Sequence, residues 1–383
     1  VTTHTAYIYD RGGRKRIRQL ENLASVKWNR GRDQVSQATV TILGADCGPQ
    51  ADVLEMIEPH RHELVIFRGD DRVWEGPINR ATDDDPFQIM AYDIFQYLLY
   101  TPLTKVWSNA YPNVGTVTQR IADIMAYELT HGFPMPDPAG GPDFTTPAWE
   151  SLDPPVNVLP YLVAHHFPNE AQTSATTQPY QMSVGDHIQS LARVSGIDYT
   201  VVGRALHVWD TSRPLGQTRT MVDNDFNNTI VGSSYGSDHA EFALVPTDGE
   251  DNLVGRATSP AKNYNYYGPW TKIFTTYDES DSATLPTIGD LDSQAQRNIA
   301  GRSPVPFEVR VPDNSNVYLS DTLTINDLVP GVRVPLLATL NVKKVSQLQK
   351  IDLVTVSEDS TGETVQVTLS PASSLDSDDE DDS

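Results

Sequence analysis

Two stretches in the middle of the chain carry the same helical stripe, and the runs on either side of them read as strands. That segregation limits the fold more than any single motif does. Thr116, with Gln119 three residues on, forms a capping box, and Val117, Ile121, Ile124 and Met125 then recur at helical spacing until Gly132 and Pro134 stop the pattern. Ser183 with Asp186 opens a second helix on the same plan, with Val184, Ile188, Leu191 and Ala192 on one face and Gly196 at its end. Both stripes are expected to face a core. An order of strands, then helices, then strands indicates an α+β fold or separate domains, not alternating βαβ units. No short period repeats along the chain, which argues against solenoids and propellers.

In the first hundred residues, Ser25–Arg30 and Gln37–Leu43 read as short strands. His62–Arg68 and Arg72–Ile78 form a hairpin about Gly69-Asp70-Asp71, with regular pairing expected to end at Gly76-Pro77. Phe87–Ala91 is a further strand, leading through Asp93 into a short helix over 94–100. Between the two central helices lies a connection, Gly132–Tyr180, rich in Pro, Thr and Ala. A link of that length in a compact domain is usually functional or irregular. Ile197–Val202 and Ala205–Trp209 then alternate about Gly203-Arg204, a two-residue hairpin turn. Beyond residue 218 the pattern returns to strands: Glu241–Val245, Lys272–Tyr277, Phe307–Val311, Val332–Ala338, and a closing pair Ile351–Ser357 and Thr364–Leu369 about Gly362. One helix, Leu291–Ile299, interrupts them.

A chain of 383 residues exceeds the usual limit of one growing core, so two or three domains are expected. The net charge of −23 has the wrong sign for a nucleic-acid binder, which needs a basic surface to displace counterions. Six carboxylates crowd the last eleven residues, Ser373–Ser383, yet the body is acidic without them. Sixteen Tyr, six Trp and ten Phe spread along the length exclude a disordered composition. The single cysteine, Cys47, rules out an intramolecular disulfide. The chain opens without a basic or apolar leader, and no apolar run approaches the roughly 18 residues of a membrane span. A soluble protein made in a reducing cytoplasm is expected, with an initiator Met removed ahead of Val1.

Motifs for chemistry fail on context. Gly232-Ser233-Ser234-Tyr235-Gly236 fits the nucleophile-elbow pattern, but no helical stripe follows it. The only later histidine is His239, which leaves no room for the intervening acid. His60 and His62 would share a strand face beside Glu63, without the further ligands zinc requires. His165-His166 falls in the Pro-rich connection. Asp223, Asp225 and Asn227 copy the start of a calcium loop, but Asn228 stands at its glycine position and Ser234 at its bidentate glutamate. No glycine-rich loop precedes a helix to cradle a phosphate. No catalytic residue, cofactor site or metal site is therefore assigned.

The order and spacing of several segments carry a resemblance: ELVIFRGDDRVWEGPI, QIMAYDIFQYL, SVGDHIQSLARVSGIDYTVVGRALHVWD, LDSQAQRNIAG, VPFEVRVPD, DLVPGVRV and a final VQVTLSP. From about residue 6 to 371 the chain resembles the tail-tip hub, or minor tail, proteins of long-tailed phages of actinobacteria, and more distantly the baseplate hubs of contractile-tailed phages. The resemblance implies a non-enzymatic structural protein of the virion, sited at the tail tip and assembled in the host cytoplasm. It implies a homotrimer in which each chain carries two antiparallel β-barrel hub domains, at 1–102 and 216–372. These would flank an α+β middle domain, 103–215, with a Pro-rich insertion, and an acidic tail would follow at 373–383. Three such chains present six similar barrels, so a threefold tip can dock on a sixfold tube. The implied partners are the distal tail or tube ring, the tape-measure protein and other tip proteins, with DNA passing through the channel without specific binding. Two rival functions stand beside this one, a tail-associated cell-wall hydrolase with unrecognised carboxylates and a carbohydrate-binding host-recognition protein.

Overall fold

The computed structural model describes residues 4–44, 49–107, 116–135, 141, 144–165, 178–194, 196–211, 213–234, 236–247, 253–274, 288–304, 308–313, 315–341 and 343–372. Cys47, His166, Tyr235, part of the Pro-rich connection and the acidic segment 373–383 lie outside them.

The first segment contains seven strands: β1 (His4–Asp10), β2 (Arg16–Gln19), β3 (Leu23–Gly31), β4 (Gln37–Ile42), β5 (His62–Arg68), β6 (Asp71–Thr82) and β7 (Phe87–Tyr92), with helix α1 (Pro49–Glu55) between β4 and β5. β1 escapes hydrophobic patterning because its inward residues are His4, Ala6, Ile8 and Asp10, while Tyr7 and Tyr9 face outward. β6 does not end at Gly76-Pro77 as expected but changes partner there. Glu63 pairs with Pro77 across β5, and Ile78 then pairs with Ala91 across β7. A Cβ on Gly76 would sit 1.9 Å from the Tyr92 carbonyl oxygen, so the crossing requires glycine.

The middle segment holds α2 (Phe95–Leu99), α3 (Val117–Glu128) and α4 (Val184–Val194), the short pair β8 (Pro134–Met135) and β9 (Phe144–Thr145), and a sheet of β10 (Leu162–His165), β12 (Ala205–Asp210) and β11 (Ile197–Val202). The caps form as the sequence predicts. Thr116 Oγ1 accepts from Gln119 N at 3.3 Å, and Ser183 Oγ accepts from Asp186 N at 3.0 Å. Val117, Ile121, Ile124 and Met125 are buried, as are Val184, Ile188 and Leu191. Phe95 stacks on Tyr199 at 4.6 Å between these layers.

The last segment contains β13 (Met221–Val222), β14 (Val231–Ser233), β15 (Phe242–Pro246), β16 (Val254–Thr258), β17 (Thr271–Ile273), β18 (Glu308–Arg310), β19 (Arg333–Thr339), β20 (Lys344–Asp359) and β21 (Gly362–Pro371), with helices α5 (Tyr264–Tyr267) and α6 (Ile288–Ile299). β20 is a 16-residue strand. Its first part pairs with β19, its second part with β3, and β21 runs along it from Gln349 to Asp359.

That strand joins the two ends of the chain. One 11-stranded sheet runs β13-β19-β20-β3-β4-β7-β6-β5-β1-β2, with β21 also on β20. Only the β13–β19 pair is parallel. None of the five sheets closes into a barrel among the described residues, and in the largest β3 hydrogen-bonds β20 and links the first segment to the last. A single apolar core follows the sheet and contains Ile8, Trp28, Val40 and Ile66 from the first segment with Leu323, Leu336, Val354 and Val367 from the last. The middle segment buries a separate core, from Ile94 to Val208. A third, small core sits where α6 lays Leu291, Ala295 and Ile299 on Ala243 and Val245 of β15. The architecture is α+β and dominated by strands.

Candidate functional site at the module junctions

The sheet and the middle module keep separate apolar cores, and the side chains that cross between them are largely polar. The β11–β12 turn carries Arg204 out of the middle module into the first segment, with Gly203 at φ 59 making the turn and bridging Trp74. Arg204 is 6% exposed. Its Nη1 donates to Glu63 Oε2 at 2.7 Å and to Glu75 Oε2 at 2.9 Å, and its Nε donates to the Asn157 carbonyl at 3.0 Å. Arg72 also donates to Glu75, and to the Gly13 carbonyl at 3.0 Å. Glu63 Oε1 accepts from Tyr97 Oη at 2.7 Å and from Gly12 N at 2.8 Å. Two guanidinium groups thus face two carboxylates, with further donors on the remaining lone pairs, which is the condition under which buried charges are tolerated. Burial still lifts the Glu75 carboxyl above the usual range, against the pull of Arg204 and Arg72.

A second junction joins all three segments. Arg32, just beyond β3, donates from Nη1 to Asp198 at 3.1 Å and forms an ion pair with Asp352 of β20 at 2.7 Å. Lys350 reaches Asp198 at 3.4 Å. Asp33 accepts from Tyr199 N at 2.9 Å and donates its own N–H to the Tyr199 carbonyl, and Thr200 Oγ1 donates to the Gly31 carbonyl. Burial, then the neighbouring Asp198 charge, pushes the Asp33 carboxyl up to about 8. Trp209 of β12 closes the same corner against Gly331, where a Cβ would lie 2.2 Å from the indole.

The first and last segments meet again at the other end of the sheet. His4 Nδ1 lies 2.5 Å from Glu358 Oε2, and Trp28 Nε1 donates to His4 Nε2 at 3.1 Å. Indole nitrogen only donates, so Nε2 accepts and the Nδ1 proton points at Glu358. Arg68 grips Glu363 through Nε and Nη2 at 2.7 and 2.8 Å.

The residues singled out in the sequence are dispersed. His60 lies at φ 64 before β5, while His62 Nδ1 accepts from Glu58 N at 2.9 Å. Glu63 turns inward to Arg204. His165 stacks on His207 with ring nitrogens 3.2 Å apart. Ser233 ends β14, opposite Glu308 of β18. His239 is buried, with Nδ1 on the Arg302 carbonyl at 2.9 Å. In the calcium-like stretch, Asp225 is clamped by Arg219 at 2.7 and 2.9 Å, Asp223 accepts from Thr339 N at 2.8 Å, and Asn227 accepts from Asn316 N at 2.7 Å. These oxygens fasten turns instead of converging on a cation. Among the described residues no three His, Cys, Asp or Glu side chains gather to hold a metal ion. A groove of about 210 Å³ lies beside the end of α3, but Glu128 on its wall is occupied by Thr104 N and Oγ1 at 2.9 and 2.6 Å and by Trp107 Nε1 at 3.0 Å. The chemistry on display is that of fastening modules.

The fold is shared with phage tail proteins. The 43 kDa tail protein of prophage MuSo2 from Shewanella oneidensis superposes with a TM-score of 0.54 at 13% identity, over 96% of this chain and 98% of that one. The tail protein from Neisseria meningitidis MC58 gives 0.54 at 12% identity, over 96% of each chain. Prophage tail protein gp18 from Listeria monocytogenes EGD-e gives 0.50 at 10% identity, over 95% and 94%. No protein-family model and no curated protein matches the sequence.

Proposed function

We propose that this chain is a structural hub subunit of a bacteriophage tail tip, which assembles as a homotrimeric ring around the tail channel and joins the tube or distal tail ring to the tip. The observation that carries the reading is the shared fold over nearly the whole of both chains, 96% and 98% in the first comparison. A likeness of one lobe alone would have left the other modules without a role. In this reading residues 1–102 and 216–372 act as the two barrel-like lobes, 103–215 as the middle domain, and the partners are the neighbouring tail-ring, tape-measure and tip proteins. Work of this kind is geometric, so no catalytic step is assigned. The assignment to a long-tailed phage of actinobacteria rests on the sequence resemblance, since the solved tail proteins come from other hosts.

The net charge of −23 supports a bore that DNA traverses without sticking, because like charge repels phosphate. The test is a reconstruction of the intact particle, expected to show three copies encircling the bore between tube and tip with acidic side chains toward the lumen. Density for this chain on a peripheral fibre would refute the hub, and a basic lumen would refute the charge argument alone. Incubation with host cell walls is expected to release no muropeptides.

A further inference from the structure

The most basic stretch of this acidic chain sits on an open sheet edge. Arg14, Lys15, Arg16 and Arg18 fall within five residues, and all four are exposed. β2, which carries Arg16 and Arg18, is the last strand of the 11-stranded sheet, and among the described residues it pairs only with β1. Arg14 donates to the Asn157 side chain at 2.7 Å. Lys15, Arg16 and Arg18 have no carboxylate partner among the described residues. With 51 Asp and Glu against 28 Lys and Arg, cations elsewhere are readily paired, as Arg32, Arg68, Arg72, Arg204 and Arg219 are. Aromatic rings stand beside the open cations. Tyr7 and Tyr9 are half-buried on the outer side of β1. Arg16 lies over the Tyr7 ring at 5.3 Å, Arg72 over the Tyr9 ring at 5.0 Å, and Phe67 of β5 meets Tyr7 edge-on at 5.4 Å. Tyrosine and arginine are enriched among the residues that carry binding energy at protein interfaces, so the composition is that of a contact surface.

We propose that β2 and the outer face of β1 are where a second copy of this chain docks, setting its carboxylates on Lys15, Arg16 and Arg18. The inference rests on the ring proposed for this chain and names the surface by which its copies meet. Charge selects the occupant. The net charge is −23 with the strip's own cations included, so the surface of a second copy away from its strip is acidic on average. The same charges forbid one arrangement. Two basic strips repel each other, so the contact cannot use the same patch on both copies, as a twofold dimer requires. A contact between unlike patches passes from each copy to the next, and it closes into a ring when the rotation permits. Seating a neighbour along β2 also covers a sheet edge that otherwise invites indiscriminate strand pairing. Copies held side by side on a tube sit at roughly millimolar effective concentration, where an electrostatic contact of modest strength is populated.

Carbodiimide coupling tests the contact directly, because it joins an amine to a carboxylate only where they touch. Full-length chain labelled with heavy nitrogen is mixed with unlabelled chain at roughly 1 mM, the effective concentration on a tube. Mass spectrometry is expected to find Lys15 as the amine most often joined to a carboxylate of the other isotope. That cross-chain yield is expected to fall about tenfold in roughly 1 M NaCl, where the Debye length is about 3 Å, and about as far in the R16Q/R18Q variant, which keeps Lys15. R256Q/K262Q, which removes two exposed cations of the last segment, is expected to leave it unchanged. Lys15 links confined to one isotope would assign the strip to the chain's own carboxylates. Cross-chain links concentrated at Lys262 or Lys272 would move the interface to the exposed Tyr266 and Trp270. A single-stranded oligonucleotide that binds the strip at lower concentration than the cross-chain links require would assign it to nucleic acid. Absence of any cross-chain link would leave the cations as a guard on the strand edge, and each of these four results overturns the proposal. In the reconstructed particle, three copies around the bore with β2 turned away from the neighbour would refute this surface and spare the hub, whereas a peripheral position would refute the hub.

Discussion

Arg204 is where a single side chain decides whether two modules stay joined. Replacing it with alanine leaves Glu63 and Glu75 buried without their shared guanidinium, and the expected loss is about 3–5 kcal/mol in urea denaturation. Arg204→Lys is expected to recover only part of this, since one ammonium cannot span both carboxylates and the Asn157 carbonyl. Two histidines of the middle module set a pH limit. Burial and the Arg120 charge push His187 down to about 4, and burial with His165 does the same to His207. Both are neutral when folded but take up protons near pH 6.5 when unfolded. Their contribution is therefore whole above pH 6.5 and is lost as pH falls from about 6.5 to about 4. Thermal melts of His187→Leu are expected to show a shallower decline over that window than the parent chain. Little of this was legible in the sequence. Gly203-Arg204 was readable as a turn, but nothing local says that the arginine leaves its own module for Glu63, 141 positions away. In the sequence Glu63 stands out only as a neighbour of His62.

Among elements, those with local signals read well and those set by distant partners read poorly. The capped helices α3 and α4 and the hairpins β5–β6 and β11–β12 fall where period and turn chemistry put them. The sequence pattern predicts β20 only over Ile351–Ser357, because Lys344–Lys350 is mostly polar and becomes a strand through its pairing with β19. β1 was hidden by the inward His4 and Asp10, which are satisfied by Glu358 and Arg61 from other parts of the chain. α6 depends on a close approach that only glycine permits, as a Cβ on Gly255 would come within 2.3 Å of the Leu291 backbone. Gly255→Val is expected to lift α6 from β16, lowering stability by about 1–3 kcal/mol and raising amide exchange across Ile288–Ile299 while α3 stays protected.

The whole molecule is one sheet-built body with a second module set into its sequence. Since β3 and β20 are hydrogen-bonded and one core spans both, residues 1–102 expressed alone are expected to show no cooperative unfolding transition, while co-expression with 216–372 restores one. If the proposed trimer forms in solution, sedimentation of the full chain is expected to give three times the chain mass. The segregated order of strands and helices points to the α+β class, but it cannot reveal that the first and last segments share a sheet, since no local pattern encodes a pairing 328 residues apart such as Trp28 with Val356. The middle module leaves and re-enters the body at one corner, between Asp93 on Ser36 and Thr218 on Arg333, beside the salt-bridged Arg32. A segment spliced in at a single doorway can be traded between lineages as a cassette. A recombinant inheriting a foreign insert would need counterparts of both Asp198 and Arg204, so that Arg32, Glu63 and Glu75 of the scaffold keep their partners.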